Sequence, residues 1–224
     1  MAILEINNIK KSFAKTEVLK GISFTLEKGE VLAIIGSSGS GKTTLLRCMN
    51  FLETCDTGTI SIDGKPMEML NLSDYRHFIS VVPQNSILFT GTIKDNITYG
   101  MPNVSKKRLE DAIEMANINE FVKDMPKGLN TMIGEHGGKL SGGQKQRISI
   151  ARALIQNPKI IIFDDSTSAV DSLTEKNIRL GMKETHRDCT KLIIAQRISS
   201  IRHADKILIL SGGKIVFFIF SGLP

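Results

Sequence analysis

The sequence has little cysteine, no long apolar run and no block of like charge, and each shortage narrows what the chain can be. Its three cysteines, Cys48, Cys55 and Cys189, are odd in number and include no Cys-x-x-Cys pair. That pattern argues against a disulfide framework or a cysteine metal site, and for ordinary thiols in a reducing compartment. The longest apolar runs, such as IVFFIF at 215–220, reach about six residues, against the roughly 20 that a helix needs to span a bilayer. The N-terminus carries no secretory pattern, so any membrane role is expected to run through a partner. The net charge of +6 suits phosphate-rich ligands or an anionic surface, but the basic residues are scattered rather than blocked. No repeat or low-complexity linker interrupts the chain. At 224 residues and 41% hydrophobic, it is long enough for one domain with a sizeable core and a small subdomain.

Short apolar strands alternate with amphipathic helices. Strands are expected at 3–7, 30–36, 78–82, 159–164, 191–195 and 206–210. Most are continuous apolar runs of the kind buried on both faces, which require helices above and below. Helices are expected at 42–52, at 105–117 and at 142–156. The second aligns Leu109, Ala112, Ile113 and Ala116 and the third Ile148, Ala151 and Ile155, with Ser105 and Ser141 as N-caps. Residues 17–30 alternate and turn at KGE, which reads as an antiparallel piece. The expected architecture is α/β with an antiparallel β edge and a mostly helical insert in the middle third.

Chemistry first appears in GSSGSGKTT, residues 36–44. It satisfies G-x-x-x-x-G-K-[ST] between a strand and a helix, the arrangement of a P-loop. Gly36, Gly39 and Gly41 let the backbone amides of Ser37, Ser38, Ser40 and their neighbours turn toward one point. The helix dipole adds to their field, Lys42 reaches the β- and γ-phosphates, Thr43 is placed to ligate Mg²⁺, and Thr44 completes the motif. This is a nucleoside triphosphate site. Its metal-side acid is expected at the end of another buried strand, and Asp164 after KIIIF holds that position.

A second anion-binding helix start, LSGGQ at 140–144, puts Ser141, Gly142, Gly143 and Gln144 where a second phosphate cradle would serve another chain's nucleotide. With that motif the sequence resembles an ATP-binding-cassette (ABC) nucleotide-binding domain over essentially its whole length, from Ile3 to about Val216. The resemblance implies a P-loop NTPase cassette with a RecA-like core at 1–84 and 157–216 and a helical subdomain at about 85–156, in one domain over 1–224. It also implies ATP and Mg²⁺ as ligands and head-to-tail pairing in which each signature closes over the partner cassette's ATP. Phe13 sits where an aromatic stacks on adenine. Gln84 matches the Q-loop that touches Mg²⁺ and the transmembrane partner, and STSAVD with Asp171 matches the D-loop.

Two departures from that pattern bear on turnover. The general base or water-positioning acid after Asp164 is usually Glu in the family, and here it is Asp165. Loss of a methylene withdraws the carboxylate by more than about 1 Å, which costs on the order of 100-fold in rate. The strand at 191–195 is usually followed by a γ-phosphate-contacting His, and here Gln196 stands there, unable to carry charge. Together they resemble the impaired half of some heterodimeric exporters, which keeps an intact signature for its partner's site. A homodimer with slow hydrolysis and an ATP-gated binding module with little turnover stay open beside it.

Residues 1 to about 60 resemble ATPase subunits of polar amino acid importers, whereas the rest, from about 73, resembles exporter cassettes. The expectation is a mosaic or rearranged gene without a transmembrane domain of its own. It would act with separate transmembrane subunits and a second cassette, peripheral on the cytoplasmic face of the membrane. DNA-maintenance ATPases of this class interrupt the cassette with long insertions, and the span from Lys42 to Ser141 leaves no room for one, so no nucleic-acid partner is expected.

Overall fold

The computed structural model describes residues 2–71, 75, 77–134, 137–138, 140–165, 172–195, 201 and 203–220. The chain forms two units, Met1–Ile79 with Asp188–Pro224, and Ser80–Arg187.

The first unit opens with two long strands, β1 (Ala2–Phe13) and β2 (Thr16–Glu27), paired antiparallel with Leu4 opposite Leu26 and Ile6 opposite Phe24. In β2 the alternation is explicit: Leu19, Ile22, Phe24 and Leu26 are buried, while Lys20, Ser23, Thr25 and Glu27 are not. The antiparallel piece expected at 17–30 is therefore present, and its partner strand runs well beyond the expected 3–7. β3 (Val31–Ile35) then leads into α1 (Lys42–Met49). The helix expected to reach 52 stops three residues earlier. Phe51 turns left-handed at φ 55°, and the N–H groups of Leu52 and Glu53 fold back onto the Arg47 carbonyl at 2.9 and 3.2 Å. β4 (Thr57–Ile62) pairs antiparallel with β1 and turns through Asp63 and Gly64 into β5 (Lys65–Pro66), giving the order β2-β1-β4-β5.

From Ser80 the second unit takes up β6 (Ile79–Val82) and the short β7 (Gly91–Thr92), followed by α2 (Ile93–Ile97), α3 (Lys106–Met115) and α4 (Asn119–Val122). β8 (Met132–Ile133) pairs with β7, and α5 (Gly142–Leu154) leads to β9 (Ile160–Asp164), which lies beside β6. Ser105 and Ser141 cap α3 and α5 as expected. α6 (Ser172–Thr185) was not anticipated from the sequence, although Thr174, Ile178 and Met182 are buried at a helical spacing of four.

The chain then returns to the first unit as β10 (Thr190–Ile194), β11 (Lys206–Ser211) and β12 (Lys214–Phe220). β10 and β11 flank β3 in parallel, with Leu192 opposite Leu32 and Leu208 opposite Ile34, and β12 closes the order β12-β11-β3-β10 as an antiparallel strand. Leu32, Ala33, Ile34, Leu192 and Leu208 are fully buried, as the continuous apolar runs require. Among the described residues, no helix is long and apolar enough to cross a membrane.

Candidate functional site

β3 delivers the chain to Gly36, where a Cβ would lie 2.2 Å from the Leu210 carbonyl oxygen and 2.7 Å from Ser40 Oγ. Only glycine lets the loop pass so close to β11. The Gly213 N–H donates to the Ser40 carbonyl at 3.2 Å, and the Ser40 N–H turns back onto Ser37 O at 3.2 Å. Lys42 Nζ is folded across this loop, donating to the carbonyl oxygens of Gly36 at 2.7 Å and Ser37 at 2.8 Å and to Ser40 Oγ at 3.3 Å. These oxygens stand where a ligand's phosphate oxygens would compete for the ammonium.

α1 starts at Lys42 behind Gly41, which is left-handed and offers no side-chain cap, and no acid occupies its first turn. Its leading amides keep their positive field for an outside anion. Ser37, Ser38, Gly39 and Thr43 are exposed and Thr44 is half-buried. The donor set fits a triphosphate. Among the described residues, no group of three His, Cys, Asp or Glu is placed to hold a metal. A magnesium ion here would draw chiefly on phosphate and water oxygens, its usual preference.

Phe13 closes β1 with 43% of its surface exposed, and Lys11 Nζ lies 5.2 Å from its ring centroid. Its ring is open to a stacking partner rather than packed in the core.

In the second unit β9 presents four buried residues and then Asp164, half-buried at the strand end. Asp165 follows with φ 46°, a left-handed conformation that Asp tolerates better than most residues. Gln84 Nε2 donates to Asp165 Oδ2 at 3.3 Å, so the expected Q-loop amide and the acid after the metal-side Asp meet. The signature residues form a closed capping box at the head of α5. Ser141 Oγ accepts from the Gln144 N–H at 3.2 Å, and Gln144 Oε1 accepts from the Ser141 N–H at 2.9 Å. Gly142 and Gly143 remain at the helix start as the donors not engaged in the box.

Sequence reasoning missed the residues that tie this helix to the Q-loop. Gln146, 2% exposed, accepts from Ser86 Oγ at 2.5 Å and donates to the Pro83 carbonyl at 3.3 Å. One turn and a half further, Arg152 donates to Asn96 O at 2.7 Å, Asn96 Oδ1 at 2.9 Å and Ile87 O at 2.9 Å. Burial lowers the Arg152 pKa. The signal was present: Gln146, Ser149 and Arg152 repeat every three residues beside the apolar stripe, forming a polar strip along a helix whose neighbours are buried. Asp171 and the rest of the expected D-loop, and Gln196, lie outside the described residues, as do Glu135 and His136 of TMIGEHG.

Comparison with known proteins places this geometry. A family profile described as ABC transporter matches residues 19–168. The ATP-dependent lipid A-core flippase of Saccharophagus degradans is 44% identical over 201 residues, covering 90% of this chain and 34% of the flippase. Multidrug resistance protein 1 of Entamoeba histolytica is 42% identical over 219 residues, covering 95% of this chain and 17% of that protein. A solved structure of a bacterial Atm1-family ABC exporter with ATP bound superposes with a TM-score of 0.91 at 37% identity, over 96% of this chain and 38% of that one. The chain thus spans about a third of the flippase and somewhat more of the exporter. None of these relatives is described as an amino acid importer, and amino acid transport finds no support in them. On the P-loop, the signature cap and these matches, the chain belongs to the ABC transporter family, as its ATP-binding cassette.

Proposed function

We propose that this chain binds and hydrolyses ATP as one of a pair of cassettes that power export through transmembrane segments at the cytoplasmic face of a membrane. The observation that carries the reading is the P-loop itself: an uncapped helix start, with a lysine held across carbonyl oxygens that phosphate oxygens would replace. Lys42 then pairs with the β- and γ-phosphates, Phe13 stacks on adenine, and Asp164 with Gln84 and Thr43 serves the metal side. Bound Mg²⁺ would neutralise charge on the phosphate oxygens. Asp165 orients the attacking water and accepts its proton. Gly142 and Gly143, with Ser141 once its cap opens, face the γ-phosphate held by the partner cassette, and Asp171 serves as the D-loop residue.

In this reading the core at 1–84 and 157–216 and the helical subdomain at about 85–156 work as one cassette. The export direction rests on the named relatives. The transmembrane partner is supported by solvent-facing apolar residues of the second unit. Ile87, Phe89, Tyr99 and Met132 are 58%, 41%, 55% and 59% exposed, and Phe89 stacks on Tyr99 at 4.4 Å, a surface of docking character.

A second reading, an ATP-gated half of a heterodimer with little turnover, is favoured by the short acid Asp165, already engaged by Gln84, and by Gln196. Steady-state ATPase activity of the chain beside Asp165→Glu with Gln196→His, with ATP-dependent dimerisation followed in the same samples, separates the two. A large gain in the double variant supports the second reading. Equal, substantial rates support a homodimeric motor, and no ATP-dependent dimerisation in either protein refutes both.

A further inference from the structure

Phe13 is the last residue of β1, at the tip of the β1–β2 hairpin, where Ala14 turns left-handed at φ 52°. Exposed as it is, the ring is not held by the core, and the pairing of β1 thins out toward it. On one side β2 stays alongside to the end, with Ser12 opposite Glu17 and Phe13 opposite Thr16. On the other side β4 accompanies β1 only as far as Lys10, opposite Thr57. Beyond that point the loop before β4 takes over. Lys11 Nζ donates to Thr54 O at 2.8 Å, the Ser12 N–H donates to Asp56 Oδ2 at 2.6 Å, and the Asp56 N–H donates to Lys10 O at 2.9 Å. Lys11 is the centre of this patch. Its ammonium lies 3.6 Å from Glu53 and 3.7 Å from Asp56, and its side chain is largely buried. Glu53 in turn pairs with Arg47 of α1 at 3.3 Å, and the Leu52 and Glu53 N–H groups donate to the Arg47 carbonyl.

We propose that Lys11 is a positioning residue for the nucleotide's base: it holds the Phe13 ring by a cation–π contact on one face and leaves the opposite face for adenine. The inference deepens the proposed function and rests on its assignment of Phe13 to adenine. Lys11 and Phe13 are two residues apart on a strand and so share a face. The ammonium lies 5.2 Å from the ring centroid, inside the roughly 6 Å range of such contacts. A lysine loose in solvent would gain little there, because its stem must be ordered and its hydration competes. Here Thr54, Glu53 and Asp56 already order it, so the ring meets a cation fixed in advance. Through Glu53 and Arg47 the same anchor is tied to α1, the helix that starts at the P-loop lysine. The ring offered to the base and the helix behind the phosphates therefore share one network.

The test is calorimetric titration of the folded chain with magnesium ATP and, in parallel, with magnesium tripolyphosphate, which carries phosphates and no base. Lys11→Gln keeps a donor for Thr54 but no charge. It is expected to weaken ATP binding about 3- to 10-fold and to leave tripolyphosphate binding unchanged, a split that a merely structural role would not produce. Phe13→Leu is expected to weaken ATP about 10-fold, again sparing tripolyphosphate, and adding Lys11→Gln to it weakens ATP no further. Equal weakening of both ligands by Lys11→Gln, no weakening, or the same loss with and without Phe13 overturns the proposal. If Phe13→Leu leaves ATP binding unchanged, the stacking itself is refuted, and if neither ligand binds the parent chain, the P-loop reading is refuted. Either result overturns the proposal as well, but is read apart from a failure of Lys11 alone.

Discussion

Gln84 Nε2 donates to Asp165 Oδ2 at 3.3 Å, joining positions 81 residues apart in sequence. The bond occupies one oxygen of the acid expected to handle the attacking water, and it directs that acid from a left-handed backbone position. Asp165→Asn keeps the shape and removes the charge, so ATP binding is expected to survive while turnover falls by about 100-fold or more. Gln84→Ala removes that bond, and the change in turnover it brings measures the amide's own part. Parallel nucleotide-binding and phosphate-release assays check both.

The P-loop glycines are expected to respond differently to the same added methyl group. Gly36→Ala drives a Cβ into the Leu210 carbonyl at 2.2 Å. Backbone cannot yield cheaply there, so a loss of about 2–4 kcal/mol and of ATP affinity is expected. At Gly39 no atom lies within 4 Å of the added Cβ, but φ is 76°, so Gly39→Ala costs only about 1–2 kcal/mol of backbone strain. Chemical denaturation of the two variants, with nucleotide titration, separates clash from strain.

Arg152 binds three carbonyl-type oxygens with its guanidinium while stacking 5.2 Å from Phe89. Arg152→Ala orphans the Asn96 and Ile87 carbonyls and is expected to cost about 2–4 kcal/mol in thermal or denaturant unfolding. Arg152→Lys restores charge without the fork and is expected to recover less than half.

Ser141→Ala removes the N-cap of the signature helix. The expected cost is about 1 kcal/mol of stability, read by denaturation, with weaker ATP-dependent dimerisation in sedimentation.

Cys55 titrates below an ordinary thiol, first through Cys48 and then through Lys11, with burial, Asp56 and Glu68 opposing. A lowered pKa means more thiolate at a given pH, so Cys55 alkylation is expected to reach half its limiting rate at lower pH than in a cysteine peptide. Cys48→Ala removes that influence and moves that midpoint upward. An unmoved midpoint would show that Cys48 does not stabilise the thiolate.

What the sequence determined by itself was the chemistry carried by contiguous residues. GSSGSGKTT needs its glycines within one loop and its lysine at the next helix start, LSGGQ carries its cap within four positions, and KIIIFDD ends a buried strand in acids. In each, neighbours along the chain are neighbours in space, so period and spacing already fix the local geometry. The parallel strands at β3, β10 and β11 were legible for a related reason: burial on both faces removes the polar alternation and leaves continuous apolar runs. Tertiary structure decided the rest. Helix α1 ended at Met49 because a left-handed Phe51 and the Arg47 carbonyl stopped it. The bonds from Gln146 to Pro83 and Ser86, those from Arg152 to Ile87 and Asn96, and the contact of Gln84 with Asp165 all depend on chain reversals. A hydrogen bond is worth little until loops have paid their entropy and both groups are held at about 3 Å, and no local pattern encodes that distance.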